Sequence, residues 1–187
     1  MPATQTSTPS AKSPAQELSV EPFDVLDETH QQIATALKQL QSLVEHLRDN
    51  GVDDHAKDSA RSLFQFFMNS ARQHHLDEEK HVFPQLINSG DEQLVQTTLR
   101  LQQDHGWIEE DWLELAPQLE SISAGYNWYN IEQLEHAVPV FAALYHDHIR
   151  LEESLIYPEA RARISSWDLS GMGREMASRR RPGRKAA

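Results

Sequence analysis

The chain has 187 residues, 39% hydrophobic and 25% charged, enough for one ordinary domain with a modest core. It holds no cysteine and ten histidines, which excludes disulfides, thiolate metal sites and a cysteine nucleophile, and leaves imidazole and carboxylate as metal donors. The net charge of −12 divides into +5 on residues 174–187 and −17 on the rest, so the body lacks the basic surface that nucleic-acid phosphates require.

Residues 1–20, rich in Ser, Thr, Pro and Ala, predict a disordered tail. Residues 21–164 carry a helical pattern broken only by Asn50-Gly51, Asn88-Ser89-Gly90 and Gly125-Tyr126-Asn127. Helices are therefore expected at 22–49, 54–88, 92–121 and 130–163. Each has an apolar face at helical spacing: Leu26, Ile33, Leu37 and Leu40 in the first, Leu63, Phe67, Ala71 and Val82 in the second. Leu101, Ile108, Trp112 and Leu115 mark the third face, and Val138, Phe141, Tyr145 and Ile156 the fourth. Residues 165–187 read as a basic, flexible tail, either solvated or bound to an acidic partner. The expected fold is all-α: an antiparallel up-down-up-down four-helix bundle with an internal two-fold repeat. No apolar run approaches the ~20 residues of a membrane span and no signal-peptide core follows the start. A soluble, cytoplasmic protein with neither membrane nor nucleic acid as partner is expected.

The repeat carries the chemistry. His74-His75-Leu76-Asp77-Glu78-Glu79-Lys80-His81-Val82-Phe83-Pro84 and His148-Ile149-Arg150-Leu151-Glu152-Glu153-Ser154-Leu155-Ile156-Tyr157-Pro158 share the form H-x-x-x-E-E-x-x-x-aromatic-P. The odd helices repeat as well, with Leu26, His30 and Ile33 matching Leu101, His105 and Ile108. His and Glu four apart share one face, and each proposed group lies between core positions, so all six point inward. From His30 to Asn50 is 20 residues and from Asp53 back to His74 is 21, each about 30 Å at ~1.5 Å per residue. The same reckoning across Gly90 levels Glu78 with His105. One layer thus holds His30, His74, Glu78, His105, His148 and Glu152.

Burying four imidazoles and two carboxylates without compensation is prohibitive, and a metal pair removes the objection. Two His on each metal with both carboxylates bridging leaves positions open for an oxo, hydroxo or exogenous ligand. Nitrogen and oxygen donors without sulfur suit iron, with manganese or zinc as substitutes.

With one His on each odd helix and the repeated motif on the even ones, residues 22–163 resemble the hemerythrin-like HHE cation-binding domain. The resemblance implies a non-haem di-iron site, two iron ions (Fe2+/Fe3+) with an oxo or hydroxo bridge, held by His30, His74, Glu78, His105, His148 and Glu152. The oxygen carriers of that family have a His-x-x-x-His pair on the third helix and an Asp on the fourth. Here helix three has His105 alone and helix four has Glu152, which favours higher oxidation states over reversible oxygen carriage. The spacing is also similar to that of di-iron proteins that repair iron–sulfur clusters under nitrosative stress. Three functions stay open: binding of oxygen, nitric oxide or peroxide; reduction of peroxide or nitric oxide, with a redox partner protein; and iron handling or cluster repair.

His75 competes with His74 but aligns with Ile149, so His75 and Glu79 are expected beside the ligands or at the rim. His81, seven after His74, is a candidate additional ligand. Tyr145 is either a hydrogen-bond donor to a bound ligand or a core aromatic. Glu79 and Glu153 are either a path for iron or acidic surface. Pro84 and Pro158 are expected to kink or end their helices. His46, His55, His136 and His146 are assigned to the surface.

Overall fold

The computed structural model describes residues 21–180, with the side chains of Ser166 and Trp167 excepted. The expected tail at 1–20 and the segment 181–187 lie outside the described residues. Within them every regular element is helical. Helix α1 is Pro22–Asn50, with the proline in its first turn, where a missing N–H costs nothing. It stops at Gly51, whose φ of 73° is readily adopted only without a side chain. Helix α2 spans residues 54–87 and α3 is Glu92–Ser123. Helix α4 spans residues 131–163 and α5 is Ser166–Arg179. Asp53, Asp91 and Asn130 cap α2, α3 and α4 by accepting from the backbone N–H of Ala56, Leu94 and Gln133. These ends fall within two residues of those expected.

Helix α1 packs on α2 and α4, and α3 packs on the same two. Their apolar faces form two separate cores. One gathers Ile33, Leu40, Phe67, Trp112 and Phe141; the other gathers Leu26, Val82, Phe83, Leu101 and Ile156. Between them, on α1 to α4, stand the buried His and Glu residues of the repeat.

Helices α2 and α4 continue past Pro84 and Pro158 and do not end there. Helix α2 passes into π geometry at Phe66–Ala71 and Glu78–Val82, and α4 does so at Glu152–Ile156. Pro84 and Pro158 cannot donate to a carbonyl four residues back. The N–H groups just before them bond five residues back, Phe83 to Glu78 and Tyr157 to Glu152, so the strain is spread over one wide turn.

Within the segment 165–187, expected as a basic, flexible tail, residues 166–179 form α5 on α1. Ser165 caps Asp168, and Met172 and Met176, one turn apart, are buried in the second core. Gly171 and Gly173 disguise this helix in the sequence, because each lowers helix propensity by about 1 kcal/mol while the burial of two methionines offsets it. Met176→Ala should therefore destabilise the protein by about 2–5 kcal/mol, read as a lower urea midpoint; a solvated tail would show no change.

Candidate metal centre

The repeat places its donors from four helices. His74 and Glu78 come one turn apart from α2, His148 and Glu152 likewise from α4, and His30 and His105 from α1 and α3. All six are 0–5% exposed. Each carboxylate straddles the layer. Glu152 turns Oε2 to His30 Nε2 at 3.2 Å and Oε1 to His148 Nε2 at 3.0 Å. Glu78 turns Oε1 to His74 Nε2 at 3.4 Å and Oε2 to His105 Nε2 at 3.5 Å. Two donor sets result, His30–His74–Glu78–Glu152 and Glu78–His105–His148–Glu152, each with its ligand atoms within 4.8 Å of one another.

Much of this proximity is not hydrogen bonding. Both nitrogens of His74, Nδ1 of His148, Oε2 of Glu78 and both oxygens of Glu152 are buried without a hydrogen-bond partner. The Nε2 atoms of His105 and His148 face each other at 3.1 Å. Each orphaned polar group would cost about 1–3 kcal/mol, and native interiors tolerate few of them. Converging, unpaired nitrogen and carboxylate atoms are what one or two cations require, and the donor set fits borderline first-row metals. The buried His and Glu clusters thus suggest a metal-binding site.

The electrostatics agree. Burial alone would strip the His148 proton, but Glu152 and then Asp104 overcome it and hold that imidazole up to about 10. Burial would likewise raise Glu152, yet His148 and His30 keep it well below the ordinary carboxylate range. Glu78 is pushed up by burial and by the Glu152 charge, and His74 is pushed well down by burial and by His30. Protons do here what cations would do.

A second ring of contacts fixes the first, and sequence reasoning saw only part of it. Glu79 accepts a hydrogen bond from His105 Nδ1 at 2.8 Å, and Glu153 accepts from His30 Nδ1 at 3.1 Å. The second Glu of each motif therefore orients the imidazole of an odd helix and turns its Nε2 toward the layer, where that of His30 also meets the Tyr157 hydroxyl at 3.1 Å. The motif aromatics cover the same rings: Phe83 stacks on His105 at 5.3 Å and Tyr157 on His30 at 5.2 Å. The Tyr157 hydroxyl also donates to Glu78. The sequence marked position 157 as aromatic, but nothing in it announced what the hydroxyl would meet.

The other candidates sort by contact. His75 is part-buried, stacked on His105 at 4.0 Å, with Nε2 buried and unpartnered. It joins His105 and His148 in a third set of close ligand atoms. His81 leaves the layer because the π turn rotates it away; it lies 3.2 Å from Glu175. Tyr145 is a core aromatic against Phe67 and Phe141. His46 pairs with Asp53 at 3.0 Å, and His136 and His146 are exposed.

The model of the Hemerythrin HHE cation binding domain matches residues 21–160. An "Uncharacterized protein" of Haemophilus influenzae is 30% identical over 161 residues, 86% of this chain and 90% of that one.

Two pH effects follow. Metal capture near pH 7 should release protons, measurable in weak buffer, and apparent affinity should rise with pH because acid competes for the same nitrogens. In the metal-free chain the raised His148 contributes its stability fully below the unfolded His value of ~6.5 and loses it as pH rises toward about 10, while the depressed Glu152 loses its share as pH falls below the ordinary carboxylate range. Thermal melts of metal-free protein should show this decline, and metal-loaded protein should not.

Proposed function

The chain belongs to the hemerythrin HHE cation binding domain family, and from that premise we propose that it is a non-haem di-iron protein that binds oxygen, nitric oxide or peroxide. His30, His74, Glu78, His105, His148 and Glu152 would hold the two ions. The observation that carries this reading is the disposition of Glu78 and Glu152, each with one oxygen toward either pair of histidines. The helices form an antiparallel up-down-up-down bundle. Supporting this, α1 and α3 run from the core containing Leu26 and Leu101 to the one containing Ile33 and Ile108, while α2 and α4 run the other way, from Phe67 to Val82 and from Phe141 to Ile156. Residues 21–164 are the bundle domain.

Bound iron would supply one-electron chemistry at adjacent ions with positions open to an outside ligand. The chain's own groups do the rest. Glu79 and Glu153 hold the His105 and His30 protons at Nδ1, which presents Nε2 inward. The Tyr157 hydroxyl holds Glu78, so this carboxylate cannot swing freely. Apolar layers on both sides, with Leu26 and Leu101 below and Ile33 and Ile108 above, keep bulk water away. Near-total burial of the donors favours resident metal over the loading and release that iron handling demands.

Anaerobic reconstitution should give about two iron ions per chain by elemental analysis, with one zinc or no metal as the outcome that defeats the proposal. Glu152→Ala should abolish the dinuclear visible spectrum and His146→Ala should leave it intact. Glu79→Ala should weaken iron about 10–100-fold, in a chelator competition, without removing a ligand.

A further inference from the structure

The two halves of the centre differ in their approach from outside. Between α2 and α3 lies a pocket of about 420 Å³, lined among others by Phe67, His75, His105, Gly106, Trp112 and Tyr145. One water occupies about 30 Å³ of liquid, so the space admits a small molecule. His105 is at its inner wall, and so is His75, whose buried Nε2 has no hydrogen-bond partner. Arg72, paired with Glu109 at 3.3 Å, belongs to the same lining.

Gly106 is the informative residue. It sits inside the 32-residue α3, where a glycine costs about 1 kcal/mol relative to alanine. It needs no unusual backbone, since its φ is helical, and it serves no close packing, since a Cβ there would meet nothing within 4 Å. The position is thus left without a side chain beside the one imidazole that the pocket reaches from the proposed donor set. In the other half, the residue after His30 is Gln31, and the counterpart of His75 is Ile149.

We infer that this pocket is where the small ligand binds, reaching the His105–His148 side of the centre, with Gly106 keeping the way open and His75 Nε2–H donating to the ligand. The inference rests on the di-iron reading above. The chemistry of the walls sets the ligand class. Phe67, Trp112 and Tyr145 are aromatic, so the ligand is a diatomic or triatomic molecule that tolerates apolar surroundings. One end accepts a hydrogen bond from His75. A polyatomic, multiply charged anion could accept that hydrogen bond but would lose its hydration against these apolar walls, which excludes it.

The test compares Gly106→Ala, Gly106→Leu and Gly106→Phe with the parent protein, all iron-loaded, using azide as probe and stopped-flow absorbance as readout. The side chains enter open space and favour the helix, so iron content should stay at the parental value and thermal midpoints should not fall. Azide association should slow with side-chain size, at least 10-fold for Gly106→Leu and more for Gly106→Phe. His75→Leu should speed azide dissociation about 10-fold, with His75→Gln restoring part of the loss. Unchanged association in the leucine and phenylalanine variants overturns the pocket. A parent protein with no azide-sensitive band defeats the di-iron reading instead. The pocket is then judged on metal-free protein by xenon-induced NMR shifts, expected at the Gly106 amide and the Trp112 indole and lost in Gly106→Phe; xenon shifts elsewhere, or unaltered by that variant, overturn it.

Discussion

Two buried carboxylates that each face both pairs of imidazoles are the constraint around which this molecule is arranged. Glu78 and Glu152 are wholly out of solvent, and ions in that position cannot stand without compensation. Everything near them supplies it. His148 and His30 offset the charge of Glu152, the Tyr157 hydroxyl donates to Glu78, and the imidazoles are themselves oriented by carboxylates further out. The layer divides the interior into two apolar cores, so each helix must change from greasy to polar and back within about three turns. A chain that merely needed to fold would fill this layer with leucine. Holding six polar side chains there is a sacrifice of stability that a bound cation would reverse.

Much of this was legible in the amino-acid order. Helix spans follow from apolar periodicity and from turns at Gly51, Gly90 and Gly125, all three with positive φ. The convergence of His30, His74, Glu78, His105, His148 and Glu152 follows from residue spacing and rise per residue, because long helices with short loops leave little freedom in height. What escaped were effects that depend on exceptions to regular helical phase. A π turn adds a residue to the repeat, so His81 faces Glu175 rather than the layer, although seven residues in an ideal helix would return it to the face of His74. The roles of Glu79 and Glu153 depend on which neighbouring helix lies across the gap, a relation that a single helix face does not encode. Helix α5 was hidden by its glycines and arginines, since its packed side is marked by little more than Leu169, Met172 and Met176.

The internal repeat also shows its departures from symmetry, and they are not scattered. Phe83 and Tyr157 occupy equivalent places over His105 and His30, but only the second has a hydroxyl, and it is bonded into the centre. His75 stands where the other copy has Ile149, and Gly106 where it has Gln31. One half therefore gains an internal hydrogen bond while the other gains an unpartnered polar atom beside open space. The donors are nearly symmetric and their surroundings are not. If the proposed two ions were bound there, such a difference would distinguish metals that the ligands alone would make alike.

The uneven charge of the chain finds part of its reason in the same place. Asp77, Glu78 and Glu79 are consecutive, and successive helical residues point about 100° apart. Glu78 enters the layer and Glu79 reaches His105, which leaves Asp77 buried on a third side. It is met there by Gln73 and by two guanidinium groups from the end of α5, with Arg179 Nη2 2.7 Å from Oδ1 and Arg180 Nη2 2.7 Å from Oδ2. The second copy of the motif has Leu151 at this position and needs no such partners. Without these arginines an uncompensated carboxylate would sit one residue from Glu78, at a cost of about 3–5 kcal/mol by comparison with other broken buried pairs. Met172 and Met176 hold α5 against the second core and so keep the arginines in reach. Arg179 and Arg180 thus join α5 to the acidic bundle through one buried charge, and the electrostatic balance of the centre extends to a helix that supplies none of its donors.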